Sequence, residues 1–214
     1  MKKNLTELVF ILDRSGSMSG LENDTIGGFN SFIEKQKDVD GQCLVSVVLF
    51  NNLSKVVYDR VSLDEIRKMT RQDYVASGST ALIDAMGDAI HHIRNVHKYI
   101  RDEDVPEKTV FVIITDGEEN DSHRYSSDEV KKMVYQQKEK DWEFIFLGAN
   151  IDAVETAKEY GIDSSRAARY YNDKNGVGLN FMSLNKAVKG LRENKVYSEE
   201  CLSEIKEYYK KRKD

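Results

Sequence analysis

Oxygen-bearing side chains cluster at the end of the first apolar segment of the chain. Residues 8–12 form an apolar run that stops at Asp13, and Ser15 and Ser17 follow at alternate positions. A turn requires glycine, asparagine or aspartate, but it does not require the pattern Asp-x-Ser-x-Ser. Two residues apart, the serine hydroxyls can project in the same direction from an extended turn. This spacing indicates a binding role for the segment.

Two later segments carry the same kind of side chain. The apolar run "TVFVIITD" ends at Asp116, and the small-residue loop "ASGSTAL" carries Thr80 just before an amphipathic segment. In an open parallel sheet, ligands bind outside the carboxyl ends of the strands. We therefore expect two carboxylates and three hydroxyls to converge on one edge of the sheet, namely Asp13, Ser15, Ser17, Thr80 and Asp116.

The chemistry of this set favours a hard divalent cation. All five side chains offer oxygen and none offers sulfur or imidazole, which is the ligand preference of Mg²⁺, Mn²⁺ and Ca²⁺. Because only Asp13 and Asp116 are anionic, a bound ion would stay electrophilic and would attract an anionic oxygen from another molecule. The set predicts a site that binds a carboxylate through a metal ion, with Mg²⁺ as the first choice.

The elements that must position these residues follow from hydrophobic patterning. Four nearly continuous apolar runs, "LVFILD", "CLVSVVLF", "TVFVIITD" and "EFIFLGAN", are typical of strands that are covered on both faces. The segment "KVVYD" follows the second run closely and predicts an antiparallel edge hairpin. Amphipathic helical segments lie between the runs. This alternation predicts an α/β fold with a doubly wound, mostly parallel sheet, one antiparallel edge strand and helices on both faces.

Composition and charge narrow the class of protein. Of the 214 residues, 40% are hydrophobic and 32% charged, which predicts one globular domain over residues 1–214 with a helical C-terminal extension from about residue 178. The net charge of −5 argues against a nucleic-acid surface. Cys43 and Cys201 stand far apart and favour a reducing compartment. The N-terminal apolar run is too short for a membrane span, so we expect a cytoplasmic protein without membrane contact.

The same residues carry a family resemblance. "DRSGS" at 13–17, Thr80 in "SGSTAL" and Asp116 in "ITDGEEN" resemble the metal-ion-dependent adhesion site (MIDAS) of von Willebrand factor type A (VWA) domains. The family pattern is Asp-x-Ser-x-Ser, then Thr, then Asp-Gly, and each part is present in order. The resemblance extends over roughly residues 5–170. The first part alone is a weak signal, whereas the three parts together are specific.

The resemblance implies a role for each residue. Ser15 and Ser17 would bind the metal through their hydroxyls, and Thr80 would bind it directly or through water. Asp13 and Asp116 would hold coordinated waters and the serine hydroxyls. The open position would take a glutamate or aspartate of a protein partner, so the chain would be a recognition module and not an enzyme. Because the family also occurs beside AAA-type ATPases, such an ATPase or a multi-protein complex is the implied partner.

Other readings of the sequence remain open at this stage. A metal-dependent phosphoryl-transfer or hydrolase enzyme could use Asp13 as its nucleophile, but the segment lacks a second aspartate two residues on and the chain has no phosphate loop. His123 is the residue that would favour a zinc or hydrolase site. Glu118 and Glu119 could hold a second ion or simply be solvated. A structural subunit with a vestigial site is the third reading.

Overall fold

A six-stranded sheet with the order β3-β2-β1-β4-β5-β6 forms the centre of the molecule. The computed structural model describes residues 1–195 and 197–213. All neighbouring strands are parallel except β2 and β3, which form the antiparallel hairpin at one edge. The strands are β1 (Lys2–Asp13), β2 (Gln42–Phe50), β3 (Ser54–Ser62), β4 (Pro106–Thr115), β5 (Trp142–Gly148) and β6 (Ala167–Arg169).

The described part of the chain contains six α-helices, which cover the two faces of this sheet. They are α1 (Glu22–Lys37), α2 (Leu82–Tyr99), α3 (Ser127–Lys138), α4 (Ala153–Glu159), α5 (Lys174–Arg192) and α6 (Ser203–Lys213). Local sequence signals set several of their ends. Ser126 and Glu129 form a reciprocal capping box at the start of α3, and Asp152 caps α4. No helix within the described ranges is long and apolar enough to cross a membrane.

Alternate side chains of the central strands pack into two separate apolar layers, one on each face of the sheet. In β1, Phe10 packs edge-on against Phe29 and Phe32 of α1, with ring centroids 5.4 and 5.0 Å apart. Its neighbours Val9 and Ile11 point to the other face, into the layer formed with α2, α3 and α4. Because both faces are covered, β1 is buried from Leu5 to Asp13 and β4 from Thr109 to Thr115, which explains their nearly continuous apolar sequences.

The strand register brings the two carboxylate-bearing strand ends together. β1 pairs with β4 so that Leu12 lies opposite Ile114, and the next residues on each strand are Asp13 and Thr115. The chain winds from β1 to β2 and β3 on one side, and then continues through β4, β5 and β6 on the other. Such a reversal between β1 and β4 is the place where open α/β sheets bind ligands.

The predicted fold class is confirmed. The sheet is mostly parallel, its single antiparallel strand is the predicted edge hairpin, and helices lie on both faces. The sixth strand was not predicted as a separate element. β6 has only three residues, which is too short to produce a recognisable pattern in the sequence.

Candidate metal centre

Asp13 is the buried base of the candidate site. Its side chain is 1% exposed, and both of its oxygens accept hydrogen bonds from fixed groups of the chain. Oδ1 accepts the backbone N–H of Ser15 at 2.7 Å, and Oδ2 accepts the hydroxyl of Thr115 at 2.7 Å. The Asp13 carboxylate therefore fixes the start of the Ser15–Ser17 loop. It also places a buried negative charge next to the serine hydroxyls.

The serine hydroxyls form a directed chain of hydrogen bonds. The Ser17 hydroxyl donates to Asp116 Oδ1 at 2.6 Å, and the hydroxyl oxygens of Ser15 and Ser17 are 3.0 Å apart. Since Ser17 gives its only proton to Asp116, Ser15 must be the donor within the serine pair. The Ser17 oxygen then keeps one lone pair for a further partner. Ser17 is also exposed to solvent, whereas Asp13, Ser15 and Asp116 are buried.

Thr80 completes the set from the opposite loop. Its backbone N–H donates to Asn120 Oδ1 at 2.9 Å, and its carbonyl accepts the N–H of Asn120 at 3.0 Å. A Cβ built on Gly117 would stand 3.7 Å from both the Thr80 Oγ1 and the Ser17 Oγ. The two hydroxyls therefore border one small space above Gly117, although they lie 63 positions apart in the sequence.

Backbone hydrogen bonds hold the two loops against each other. The N–H of Gly16 donates to the carbonyl of Gly78 at 2.9 Å, and the N–H of Ser77 donates to the carbonyl of Arg14 at 2.8 Å. Gly78 has φ +78°, and a Cβ there would come within 2.6 Å of Asn52 Oδ1. Only glycine fits this position without strain, so Gly78 allows the loop to approach the Ser15–Ser17 turn closely.

Tyr74 supports the site from a segment that has little regular structure. Its ring is almost fully buried, and its hydroxyl donates to the backbone carbonyl of Asp13. Tyr74 is absent from the predicted set because it lies 61 residues from Asp13, in a stretch without a periodic pattern. Its contact fixes the end of β1 from the side of α1.

Two asparagines also hold Asp116 and were missed by the sequence prediction. Asn172 Nδ2 donates to Asp116 Oδ2 at 2.8 Å, and Asn150 Nδ2 donates to the backbone carbonyl of Asp116 at 3.0 Å. Asn150 follows the end of β5 and Asn172 follows the end of β6. The rule that ligands gather at carboxyl strand ends could have indicated Asn150, but Asn172 depended on recognising the short strand β6.

The residues after Asp116 support the helix that follows Thr80. Glu119 Oε2 accepts the N–H of Ile83 at 2.8 Å, and its Oε1 accepts the N–H of Ser122 at 2.7 Å. Glu119 thus binds the first turn of α2, where orphan N–H groups and the helix dipole favour a carboxylate. The Glu118 side chain is exposed. Both Glu119 oxygens are engaged by the chain, which favours a structural role for this residue over a second ion.

Burial makes the negative charges of the site costly. Burial raises the pKa of Asp13 above its ordinary value, and hydrogen bonds from Thr115 and Ser15 offset part of this effect. Burial likewise raises the pKa of Asp116, against the hydrogen bonds from Ser17 and Asn172. A cation bound nearby would favour the ionised form of both groups.

The donor set fits a hard divalent ion. The groups that face the space above Gly117 are hydroxyl oxygens, and the two carboxylates lie behind them, in hydrogen bonds to the chain. Among residues 1–195 and 197–213, no cluster of three or more histidine, cysteine, aspartate or glutamate side chains could hold a metal. A soft or borderline ion bound by such a cluster is therefore not favoured, and the oxygen set suits Mg²⁺, Mn²⁺ or Ca²⁺.

His123 does not complete a zinc or hydrolase site. Its imidazole is 82% exposed and lies 3.5 Å from Asp121, while its backbone N–H donates to Asp84. His92 pairs with Asp59 on the exposed surface, and His97 pairs with the buried Glu7. In these contacts the histidines have partners other than the five residues of the candidate site.

Solved structures of known proteins share this fold. Proximal thread matrix protein 1 from the mussel byssus is 12% identical, with a TM-score of 0.59, over 86% of this chain and 46% of that chain. The manganese-loaded Plasmodium vivax TRAP protein is 17% identical, with a TM-score of 0.59, over 86% of this chain and 74% of that chain. The ArnB paralog VWA2 from Sulfolobus acidocaldarius is 19% identical, with a TM-score of 0.54, over 92% of this chain and 46% of that chain.

These similarities establish the fold and no more, because the identities are low. The chain spans less than half of the length of the mussel protein, for which a structure with a zinc-occupied MIDAS motif is known. No curated protein sequence matches the chain. The family model of the von Willebrand factor type A domain, however, matches residues 7–186, which is most of the 214 residues. The chain therefore belongs to the von Willebrand factor type A domain family.

Proposed function

We propose that this chain is a divalent-metal-dependent protein-interaction module that binds an acidic residue of a partner. The observation that carries the proposal is the space above Gly117, which is bordered by the hydroxyls of Ser17 and Thr80. The Ser15 hydroxyl joins them through its 3.0 Å contact with Ser17. Three neutral oxygens thus lie together, the one on Ser17 belonging to a solvent-exposed residue, and two carboxylates lie behind them.

In this proposal, Ser15, Ser17 and Thr80 hold the ion, and Asp13 and Asp116 supply the negative charge behind them. A bound divalent ion would supply an open coordination position for a carboxylate oxygen from a partner. Mg²⁺ is the proposed ion, with Mn²⁺ or Ca²⁺ as substitutes. The manganese in the Plasmodium vivax TRAP structure and the zinc in the mussel protein support a divalent ion in a fold of this kind.

The state of the two carboxylates favours binding over catalysis. Both oxygens of Asp13 accept hydrogen bonds from Ser15 and Thr115. Both oxygens of Asp116 accept hydrogen bonds as well, from Ser17 and Asn172. A general base or nucleophile needs a lone pair directed at its substrate. Both carboxylates are buried and held by the chain at both oxygens, so we propose a recognition module that is not an enzyme.

The proposed partner is a protein that presents a glutamate or aspartate side chain. An AAA-type ATPase or another member of a multi-protein complex is the partner class suggested by the family, in the cytoplasm. Neither nucleic acid nor a membrane surface is proposed as a ligand, in keeping with the net charge of −5.

A peptide-display experiment tests the proposal. A library of peptides is selected on the full chain in Mg²⁺, and each selected peptide is measured again with EDTA and with its acidic residue replaced by the matching amide. We expect binding that requires both the metal and the carboxylate, and that is lost in Ser17→Ala. Binding that survives EDTA or the amide replacement would contradict the proposal. A screen with phosphate esters and nucleotides should show no turnover that depends on Ser17.

A further inference from the structure

Asn172 contacts the candidate site from outside the predicted set. It follows β6, and its side-chain Nδ2 donates to Asp116 Oδ2 at 2.8 Å. The other Asp116 oxygen, Oδ1, accepts the Ser17 hydroxyl at 2.6 Å. Ser17 and Asn172 therefore each donate to a different oxygen of the Asp116 carboxylate.

The orientation of the Asn172 amide is determined by chemistry. An ionised carboxylate can only accept hydrogen bonds, so the amide must direct its NH₂ group at Asp116. Its Oδ1 is then buried, and no group in residues 1–195 or 197–213 donates to it. A buried carbonyl without a donor is unfavourable. The Asn172 amide thus leaves its carbonyl oxygen without a hydrogen bond, while its NH₂ group donates to Asp116.

The backbone around Asn172 is fixed on both sides. Before it, the N–H of Tyr170 donates to the carbonyl of Gly148 at 3.0 Å, which extends the pairing of β6 with β5. After it, Asp173 caps α5 by accepting the N–H of Gly176 at 2.7 Å. Asp173 also accepts the hydroxyl of Tyr208 in α6 at 2.9 Å. Asn172 is thus presented to Asp116 by a rigid frame.

We propose that Asn172 is a positioning residue that holds the Asp116 carboxylate away from the metal and so keeps the site receptive to a partner's carboxylate. The inference rests on the function proposed above. With Asn172 in place, Asp116 acts on the site through the Ser17 hydroxyl. Without it, Oδ2 is free to turn toward the cation and to satisfy the charge that a partner would otherwise satisfy.

The proposal predicts opposite changes in two affinities. In Asn172→Ala, Mn²⁺ should bind about tenfold more tightly, because Asp116 gains a free oxygen. Acetate, used as a simple carboxylate probe, should bind the Mn²⁺-loaded variant more weakly than it binds the parent. A residue that merely maintains the shape of the site would weaken Mn²⁺ binding instead, which is the usual result of removing a group that supports a ligand.

The experiment is calorimetric titration of Mn²⁺ into the full chain, with water-proton relaxation by bound Mn²⁺ as a second measurement. If Asp116 replaces a water on the ion, the relaxation enhancement in Asn172→Ala falls. Asn172→Leu, which keeps the volume and removes the donor, should behave like the alanine variant. The matched control is Asn175→Ala, because Asn175 is an exposed asparagine three positions after Asn172, in the first turn of α5.

The outcomes separate this inference from the proposed function. Tighter Mn²⁺ binding together with lower relaxation in both Asn172 variants, and neither change in Asn175→Ala, supports the role of Asn172. Unchanged or weaker Mn²⁺ binding in variants that still fold would overturn it and leave the metal site intact. If the parent chain itself fails to bind Mn²⁺, the proposed function fails along with the inference.

Discussion

At the scale of single residues, the space above Gly117 determines what the site can hold. Ser17 and Thr80 approach this space from two different loops, and Gly117 forms its floor without a side chain. The φ of Gly117 is not in the left-handed region, so an L-residue can adopt its backbone conformation. The size of the side chain at position 117 can therefore be changed without straining the chain.

We predict that Gly117→Ala reduces metal affinity and leaves the fold intact. The added methyl would lie 3.7 Å from both hydroxyl oxygens, in ordinary contact with the protein but inside the space for the ion. We expect Mn²⁺ affinity to fall about tenfold, and the free energy of unfolding without metal to change by less than about 0.5 kcal/mol. Calorimetry and urea unfolding measure the two quantities.

Gly178→Ala is the control for this prediction, since a Cβ at Gly178 would meet nothing within 4 Å. It should leave Mn²⁺ binding unchanged. Equal Mn²⁺ affinity in Gly117→Ala and the parent would show that the ion does not occupy the space above Gly117.

At the scale of elements, Asp84 in the first turn of α2 fixes the loop that follows Asp116. Its carboxylate accepts the backbone N–H groups of His123, Arg124 and Tyr125 at 3.0, 2.9 and 2.9 Å. Burial alone would raise the pKa of Asp84, but these three hydrogen bonds and the charge of Arg124 outweigh it and lower the pKa. The helix that follows Thr80 is thus anchored to the loop that follows Asp116.

We predict that Asp84→Asn destabilises the chain in a pH-dependent way. The amide has one acceptor oxygen and cannot serve three donors, so the loss near neutral pH should be about 1–3 kcal/mol. Because the folded-state pKa of Asp84 is lowered, its contribution is present above the ordinary value of 3.8 and is lost as the pH falls through the folded-state pKa. Urea unfolding from pH 7 down to pH 3 measures the difference.

Asp88→Asn provides the matched comparison, since Asp88 lies one turn further on and pairs with the exposed guanidinium of Arg124. Its loss should change stability by less than about 1 kcal/mol. A difference between Asp84→Asn and the parent that stays constant with pH would contradict the assigned role of the ionised carboxylate.

The packing of α1 against α5 gives a second prediction at this scale. A Cβ on Gly28 would come within 2.2 Å of the Phe181 ring, whereas a Cβ on Gly27 would meet nothing within 4 Å. Gly28→Ala should therefore destabilise the chain by about 1–3 kcal/mol through overpacking. Gly27→Ala, one position earlier on the same helix, should stabilise it by about 0.5–1 kcal/mol. If thermal unfolding shifts in the same direction for both variants, the packing of α5 on α1 is not as described.

At the scale of the whole molecule, the winding of the sheet explains how distant residues form one site. β1 and β4 are neighbours although most of the first hundred residues lie between them, and both end at the same edge. Thr80 reaches this edge because its loop opens α2, which packs on the sheet and leads toward β4. Each of the five residues sits where a strand ends or a helix begins.

This arrangement also explains what could be predicted from the sequence. The strands that bear Asp13 and Asp116 are long and apolar, so their ends and their adjacency follow from periodicity and topology. Asn172 follows a strand of three residues, and Tyr74 lies in an irregular segment, so neither position shows a pattern. Their contacts with Asp116 and Asp13 result from the packing of α1, α5 and β6, which local sequence does not encode.

The most direct test of the account is calorimetric titration of Mn²⁺ into the metal-free chain and into the double variant Ser15→Ala, Ser17→Ala. The double variant removes two proposed ligands and keeps both carboxylates, and circular dichroism checks that it folds. We predict one dominant site in the parent and an affinity at least about a hundredfold lower in the variant. A parent without Mn²⁺ binding, or a folded variant that binds as tightly as the parent, would contradict it.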